Sequence, residues 1–245
     1  MSAFGAELVK VRTLRSTYWT LGATVAVGGG LAYLVGRSFR DNEGYNFDAV
    51  FATFYGLTMA QLALVVFAVF AVGGEYSAGT IRPTLAAVPN RGRYYLAKVG
   101  VVGLYAAGAA ALTVGAAYVA GGSGLGARRL GPQWEPILGA FLYLVLIALL
   151  AAGIAQLLRS STAALAVQLP LFFLESQGLG NIPGLRKVAQ FLPNDAGLAV
   201  LHFFGAPGTP RYDRAFPPWG GVAILALWAA AALIGGYITL HRRDA

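Results

Sequence analysis

Six long apolar runs constrain the fold of this chain more than any other feature of its sequence. They lie at residues 18–35, 49–72, 99–120, 137–158, 162–177 and 219–240. A helix that crosses a bilayer needs about 20 mostly apolar residues. Only 11% of the residues are charged, whereas an average soluble domain has roughly 25%. The sequence therefore predicts an all-α, polytopic membrane protein with about six transmembrane helices.

Three of these runs carry small or helix-breaking residues. The first contains three consecutive glycines at 28–30, and the fifth is short, with Pro170 inside it and Glu175 at its end. The third has a small residue at every fourth position: Gly103, Ala107, Ala111 and Gly115. Such ladders let helix backbones approach closely in lipid. We expect this ladder to pack within the chain or across a dimer.

Basic residues indicate which side of the membrane each loop faces, because cytoplasmic loops carry an excess of Lys and Arg. With both termini inside, the inner set is Lys10, Arg12, Arg15, Arg82, Arg91, Arg93, Lys98, Arg159, Arg242 and Arg243. The outer set is Arg37, Arg40, Arg128, Arg129, Arg186, Lys187, Arg211 and Arg214. The inner loops are shorter and their basic density is higher. We therefore predict cytoplasmic termini, including a tail at 241–245. The net charge of +8 indicates contact with anionic membrane lipid rather than nucleic acid.

The first 17 residues have the pattern of an amphipathic helix. An apolar stripe at helical spacing is formed by Phe4, Leu8 and Val11, with Lys10 on the opposite side. The charged residues of this segment are Glu7, Lys10, Arg12 and Arg15. Long basic side chains beside an apolar stripe suit a helix that lies in the membrane interface. The alternative is an ordinary positively charged anchor before the transmembrane domain at 18–240.

The segment at 178–218, between the fifth and sixth runs, mixes short apolar stretches with proline and glycine. Two short helices are predicted at 185–192 and 196–204. Non-helical backbone can enter a membrane only where protein or water satisfies its polar groups. The segment is therefore either a pair of half-helices that dip in from outside or a plain outer loop.

The sequence has no recognisable catalytic or metal-binding motif. It has no cysteine, and its two histidines, His202 and His241, are far apart. The glycine-rich stretch at 121–129 lacks the Lys-Ser/Thr pair of a phosphate-binding loop and is predicted to be an outer turn. If this chain moves a solute against a gradient, we expect the energy to come from an ion gradient or from another protein.

Polar residues within the runs are few. Gln61, Gln168 and Glu175 are candidates for a transport path, and Gln156 is a further buried amide. Carriers driven by ion gradients usually have ionisable groups deep in the membrane, and Glu175 is the only carboxylate near the interior of a run. The alternative is that the glutamines make hydrogen bonds between helices.

The loop at 73–98 breaks the apolar pattern with the sequence GGEYSAGTIRPTLAAVPNRGRYYLAK. Pro83 lies where a short helix could begin, and Pro89 would end it because proline clashes with the preceding turn. A short helix between two transmembrane helices would transmit the push of a partner to both. The alternative is an ordinary basic loop.

This loop resembles that of permease subunits of type-2 ABC exporters, and is close to the form found in actinobacterial members. The matching residues are Glu75, Gly79, Thr80, Ile81, Leu85, Pro89, Arg91 and Lys98, in an E-x-x-x-G-T-[IL]-x-x-x-L…P…R…K pattern. A charged N-terminal helix, about six spans, and an interrupted outer segment containing Phe191-Leu192-Pro193 agree with that layout.

The resemblance implies a subunit with no catalytic activity, cofactor or metal of its own, in a bacterial cytoplasmic membrane. Such permeases form dimers, of two copies or with a paralogue, and each binds a cytosolic P-loop ATPase that holds ATP and Mg²⁺. Residues 81–88 would be the coupling helix. The residues of the loop that couple it to the ATPase would be Glu75, Gly79, Thr80, Ile81, Arg82, Pro83, Leu85 and Arg91. ATP-driven closure of the ATPases would tilt the first, second and fifth spans and export an amphipathic or lipophilic cargo, such as a drug, a peptide or a lipid-like metabolite.

Two other classes of function remain open at this point. A gradient-driven carrier or channel would act without an ATPase and would depend on Glu175. A membrane immunity or assembly factor would bind a partner and move no solute.

Overall fold

The computed structural model describes residues 2–40, 47–176 and 186–242, and within these ranges the chain forms helices and no strand. The helices are α1 (Ala3–Thr13), α2 (Arg15–Arg40), α3 (Ala49–Phe54), α4 (Leu57–Ser77), α5 (Ile81–Ala87), α6 (Arg91–Leu125), α7 (Trp134–Leu158), α8 (Ser161–Ser176), α9 (Arg186–Ala189), α10 (Pro193–Leu198) and α11 (Pro218–Arg242). Short 3₁₀ turns at Gly126–Arg128 and Ala199–Leu201 follow α6 and α10.

Within the described ranges, five helical segments are long and apolar enough to cross a membrane. They are Arg15–Arg40, Ala49–Ser77, Arg91–Arg128, Trp134–Leu158 and Pro218–Arg242. The fifth predicted span, at 162–177, corresponds to α8, whose 16 residues extend about 24 Å. The prediction of an all-α, multi-pass membrane protein is confirmed. The run at 49–72 is divided into α3 and α4 by a break at Tyr55 and Gly56.

The N-terminal helix α1 and the last residues of the C-terminal helix α11 lie at the same end of the bundle. Lys10 Nζ of α1 is 2.9 Å from Glu75 Oε1, near the last residues of α4. Arg91 Nη1, at the start of α6, donates a hydrogen bond of 2.8 Å to the Leu240 carbonyl near the end of α11. We call this end, where α5 also lies, the α5 end, and the opposite end the α10 end.

Glycines allow α2 and α6 to pack with their backbones in contact. A Cβ atom at Gly36 would lie 2.8 Å from the Gly121 carbonyl oxygen, and one at Gly124 would lie 2.6 Å from the Tyr33 carbonyl oxygen. The prediction of an outer turn at 121–129 is therefore wrong for its first half. Helix α6 continues to Leu125 because its glycines face α2 rather than solvent.

The predicted small-residue ladder of α6 is not the surface that packs most closely within this chain. Ala111 and Gly115 are exposed, and a Cβ atom at Gly115 would meet no atom within 4 Å. The buried face of α6 includes Ala106, Ala110 and Ala117 instead. Packing across a dimer remains a prediction for the ladder.

The outer segment enters the bundle from the α10 end. All residues of α10 and of the 3₁₀ turn after it are buried. A Cβ atom at Gly197 would lie 2.7 Å from the Tyr143 ring of α7 and 2.8 Å from Leu225 of α11. Tyr143 is nine residues after Trp134, the first residue of α7, and this corresponds to about 13 Å along the helix. The segment is thus inserted between α7 and α11, and its entry into the membrane remains a prediction.

The short helices of this segment begin at other residues than those predicted. The predicted helix at 185–192 is reduced to α9, and the predicted helix at 196–204 starts earlier, at Pro193. Proline is favourable in the first turn of a helix, where its missing N–H has no partner to lose. Residues 178–185 lie outside the part of the chain that the structure describes.

Candidate functional site

The turn after α4 is shaped by Gly79. Its φ of +68° is in the left-handed region that glycine adopts without steric cost. The Thr80 N–H donates to the Glu75 carbonyl at 3.0 Å, and the Gly79 N–H donates to the Tyr76 carbonyl at 3.2 Å. This pair of hydrogen bonds is a Schellman motif, which satisfies the last carbonyls of a helix. The turn therefore holds the start of α5 in a defined direction relative to α4.

Helix α5 has a buried anchor and an exposed face. Ile81, at its first position, is 5% exposed and packs with Tyr94 and Tyr95 of α6 and Leu240 of α11. The residues exposed on the other side are Arg82, Pro83, Ala86 and Ala87. Leu85 packs partly against the same aromatic cluster. Helix α5 begins at Ile81, two residues before the predicted start at Pro83. Pro83 therefore lies within the first turn of the helix.

Four charged residues form an ion cluster beside this turn: Glu7 and Lys10 of α1, Glu75 of α4 and Lys98 of α6. The Lys98 ammonium is 2.8 Å from Glu7 Oε2 and 2.8 Å from Glu75 Oε1. The Lys10 ammonium is 2.8 Å from Glu7 Oε1 and 2.9 Å from Glu75 Oε1. The Tyr94 hydroxyl donates a 2.6 Å hydrogen bond to Glu75 Oε2.

The ion cluster joins α1, α4 and α6 with no net charge. The side chains of Lys98 and Glu7 are 2% and 5% exposed, whereas that of Lys10 is 41% exposed. Burial by itself would lower the pKa of Lys10, but hydrogen bonds to Glu7 and Glu75 outweigh it and hold that pKa above its ordinary value. Buried charges persist in proteins when each has a partner. The cluster therefore fixes the N-terminal helix to two membrane-crossing helices.

This geometry changes the position expected for two of the predicted residues. Glu75 was expected to contact a partner protein, but its carboxylate is directed at Lys10, Lys98 and Tyr94 within the chain. Lys10 was expected opposite the packed face of α1, yet the buried residues of that helix are Glu7 and Val11. Arg12 and Arg15 are exposed. The separation of 65 positions in sequence between Lys10 and Glu75 explains why sequence patterns did not reveal the cluster.

Two arginines hold the end of α11 at the α5 end. Arg91 Nη1 donates to the Leu240 carbonyl at 2.8 Å, and Arg159 Nη2 donates to the Thr239 carbonyl at 2.8 Å. Cations near the last carbonyls of a helix stabilise it, because that end carries partial negative charge. The Tyr95 hydroxyl donates to the Leu233 carbonyl about two turns earlier. Helix α11 is thus attached to the residues that surround α5.

A second polar cluster lies deep in the bundle. The Tyr143 hydroxyl is 2.7 Å from Gln61 Oε1 and 2.7 Å from Asn194 Oδ1, so it links α4, α7 and α10. Asn194 Nδ2 donates to the Phe172 carbonyl of α8 at 3.3 Å. Of the predicted path residues, Gln61 is 0% exposed and makes interhelical contacts. The contacts of Gln61 are those of an amide that joins helices, which is the alternative interpretation given above.

The other two predicted path residues have different surroundings. Gln168 of α8 is 1% exposed, and its amide has no hydrogen-bond partner among the residues that the structure describes. It lies on the face of α8 that also buries Ala164 and Phe172. Glu175 is within the helical range of α8, but its side chain lies outside the described residues.

One side-chain contact connects the segment at 178–218 to the start of α3, and one ion pair lies within the segment. Asp48 caps α3 by accepting hydrogen bonds from the Val50 and Phe51 N–H groups, and its Oδ2 is 2.8 Å from His202 Nδ1. Asp195 Oδ2 of α10 is 3.3 Å from Arg214 Nη2, with both side chains 1% exposed. Sequence patterns did not identify either pair, since its members come from segments separated by helices or loops.

No group of three or more His, Asp or Glu residues that could hold a metal ion occurs among the described residues. No protein-family model matches this chain, and a search of curated proteins finds no match.

Proposed function

We propose that this chain is the membrane-spanning permease subunit of an ABC-type exporter. In this proposal the α5 end faces the cytoplasm of a bacterial cell. A separate P-loop ATPase binds there and hydrolyses Mg²⁺-bound ATP, and two permease chains form the transport unit. The cargo class is an amphipathic or lipophilic molecule. The chain itself supplies the path and the surface that receives the motion.

The observation that supports this function best is the construction of α5. A loop that served only as a basic tether would need neither a fully buried anchor nor a fixed turn. Here Ile81 is inserted between α6 and α11, while Arg82, Pro83, Ala86 and Ala87 face outward. A short helix with one buried residue and one accessible face transmits an external push to the helices that hold it.

The contacts indicate which spans would respond. Gly79 and its hydrogen bonds join α5 to α4, and Ile81 touches α6 and α11. These are the second, third and sixth spans. The ion cluster extends the connection to α1, which precedes the first span. The proposed movement therefore begins in these helices rather than in the first, second and fifth spans expected from sequence.

The roles proposed for the loop residues follow from their positions. Arg82 and Pro83 lie on the face that the ATPase would contact, and Ile81 and Leu85 anchor the helix. Gly79 and Thr80 set its direction. Glu75 positions the turn through the ion cluster, and Arg91 holds the end of α11. Arg12 and Arg15 remain exposed beside the membrane surface.

The experiment that tests this function is affinity purification of the tagged chain from its native membrane in mild detergent. The expected result is a stoichiometric P-loop ATPase and ATP hydrolysis in the purified sample. The double variant Ala86→Arg/Ala87→Arg should lose the ATPase, because two bulky charges are added to the exposed face of α5. Ala127→Arg, at an exposed position of the 3₁₀ turn after α6, is the matched control and should retain it.

Three results would count against the proposal. Recovery of this chain alone, folded and without an ATPase, would favour an immunity or assembly factor or a carrier. Solute transport that needs an ion gradient but no ATPase would favour the carrier. Retention of the ATPase by the α5 double variant would remove α5 as its binding surface.

A further inference from the structure

A cavity opens beside the ion cluster, between α1, α4 and α5. Its volume is about 530 Å³. Lys10, Glu7 and Glu75 form its polar side, while Leu14 and Phe70 form part of its apolar side. A cavity with one charged side and one apolar side, near the end of a membrane-spanning helix, lies where lipid headgroups meet acyl chains.

We propose that this cavity binds a phospholipid whose headgroup carries both a phosphate and a primary amine. The phosphate would accept a hydrogen bond from Lys10, and the amine would donate to Glu7 and Glu75. The site does not depend on the transport function proposed above, because a lipid held here would stabilise the contact of α1 with α4 in any membrane protein of this fold.

The hydrogen bonds of the ion cluster leave one donor open beside several acceptors. Lys98 uses its three N–H groups on Glu7 Oε2, Glu75 Oε1 and the Ala71 carbonyl. Lys10 makes two contacts, to Glu7 and Glu75, and an ammonium group has three donors. Its third N–H therefore remains for a ligand, and its partly exposed side chain puts that donor within reach of the cavity.

Acceptors remain on both carboxylates. Each ionised carboxylate has about four lone-pair positions. Glu7 accepts from Lys10 and Lys98, and Glu75 accepts from those two residues and from Tyr94. One donor and several acceptors at one place match a zwitterion better than an anion, since a purely anionic headgroup would face two carboxylates without offering them a positive charge.

The apolar side of the cavity suits the acyl chains of the same molecule. Leu14, Phe70 and Ala71 line this cavity and also a smaller neighbouring one that includes Phe67. Phe70 is 42% exposed and lies one to two helical turns from Glu75 toward the middle of α4. A headgroup at Glu75 would therefore place its chains along Phe70, in the direction of the hydrocarbon.

The test measures lipid binding to the delipidated full chain in detergent by native mass spectrometry. Phosphatidylethanolamine, phosphatidylglycerol and phosphatidylcholine with identical acyl chains are titrated separately. We expect one saturable phosphatidylethanolamine site with a Kd about tenfold lower than for the other two, as one charge-assisted hydrogen bond would provide. Soluble glycerophosphoethanolamine should compete only weakly, because it lacks the acyl chains that would contact the apolar side of the cavity.

Variants of the cavity wall locate the site. Thr84 lines the cavity from α5, and Thr84→Trp should raise the Kd at least tenfold by filling the space. Ala87→Trp adds the same side chain to the exposed face of α5 and should leave the Kd within about twofold. If Thr84→Trp does not fold, Ala78→Trp fills the same cavity from the turn after α4.

Equal affinity for phosphatidylethanolamine and phosphatidylglycerol would overturn the headgroup assignment. Unchanged binding in folded Thr84→Trp and Ala78→Trp would place the lipid elsewhere on the surface. Tight binding of glycerophosphoethanolamine, equal to that of the lipid, would show a soluble phosphate compound as the ligand and would also overturn the proposal of a lipid site.

Discussion

Replacing Lys98 with methionine should destabilise the protein more than any other single change in the ion cluster. Lys98→Met keeps an unbranched side chain of similar length and removes the ammonium group. That group is 2.8 Å from one oxygen of Glu7 and 2.8 Å from one oxygen of Glu75. Its side chain is 2% exposed, so water cannot replace the lost contacts.

The magnitude follows from the charges that stay behind. Two carboxylates would share one remaining cation, Lys10, whose side chain is 41% exposed. Removing one partner of a buried ion pair costs about 3–5 kcal/mol. Exposed ion pairs contribute about 0–1 kcal/mol, so Lys10→Met should cost roughly 1 kcal/mol. The two lysines bind the same carboxylates, but the loss in free energy of unfolding should be several-fold larger for Lys98→Met than for Lys10→Met.

The assay is thermal unfolding of the purified protein in one detergent. At about 2–4 °C per kcal/mol for a chain of this length, Lys98→Met should lower the midpoint by about 6–20 °C. Adding Glu75→Gln to Lys98→Met removes the excess negative charge and should recover roughly 1–3 kcal/mol, the size of coupling seen between contacting residues.

Equal effects of Lys98→Met and Lys10→Met would refute this reasoning, since they would show that burial does not set the cost. Failure of Glu75→Gln to improve the Lys98→Met variant would also refute it. The loss would then come from packing of the methionine side chain and not from uncompensated charge.

Three further changes test other parts of the fold by thermal unfolding. Gly36→Val should cost about 1–3 kcal/mol by overpacking, because a Cβ atom there would lie 2.8 Å from the Gly121 carbonyl. Tyr143→Phe should cost about 1–3 kcal/mol, since it leaves two buried amides without their hydroxyl partner. Burial raises the pKa of Asp195 from its ordinary 3.8 to about 6. The folded state therefore binds more protons between these values, so the contribution of Asp195 to stability is present at low pH and is lost as pH rises through that window. Asp195→Asn should remove this part of the pH dependence, measured as midpoints from pH 4 to pH 7.

Controls separate these effects from general sensitivity to mutation. Gly30→Ala should change the midpoint little, because a Cβ atom at Gly30 would meet no atom within 4 Å. Tyr105→Phe changes a half-buried tyrosine of α6 and should cost less than Tyr143→Phe. An unchanged pH dependence in Asp195→Asn would show that Asp195 does not titrate in this window.

The membrane-crossing helices were predictable from the sequence because hydropathy is a local property. The run predicted at 137–158 is α7 (Trp134–Leu158) apart from its first turn, and the run at 219–240 lies within α11. The N-terminal helix was predictable for the same reason, but not its buried face. Its sequence did not indicate that Glu7 is buried, with two lysines that neutralise it, while Phe4 of the apolar stripe is 42% exposed.

The candidate site was predictable only in part. A glycine between two helical runs predicts a turn, and Gly79 has the positive φ that such a turn requires. The insertion of Ile81 between Tyr94, Tyr95 and Leu240 was not predictable, because Leu240 comes from the far end of the chain. The close packing of α2 on α6 was likewise missed, since a glycine does not indicate which helix it will face.

The sequence by itself determined that this chain is helical, crosses a membrane several times and has a short helix between its second and third spans. Each of these properties depends on residues within a few turns of one another. Only the tertiary structure decided that Glu7, Lys10, Glu75 and Lys98 form one neutral cluster, and that α10 is buried between transmembrane helices. Helix packing brings together residues that are far apart in sequence, and charges and backbone groups then pair with whichever partners lie nearby. A local pattern contains no information about that distance.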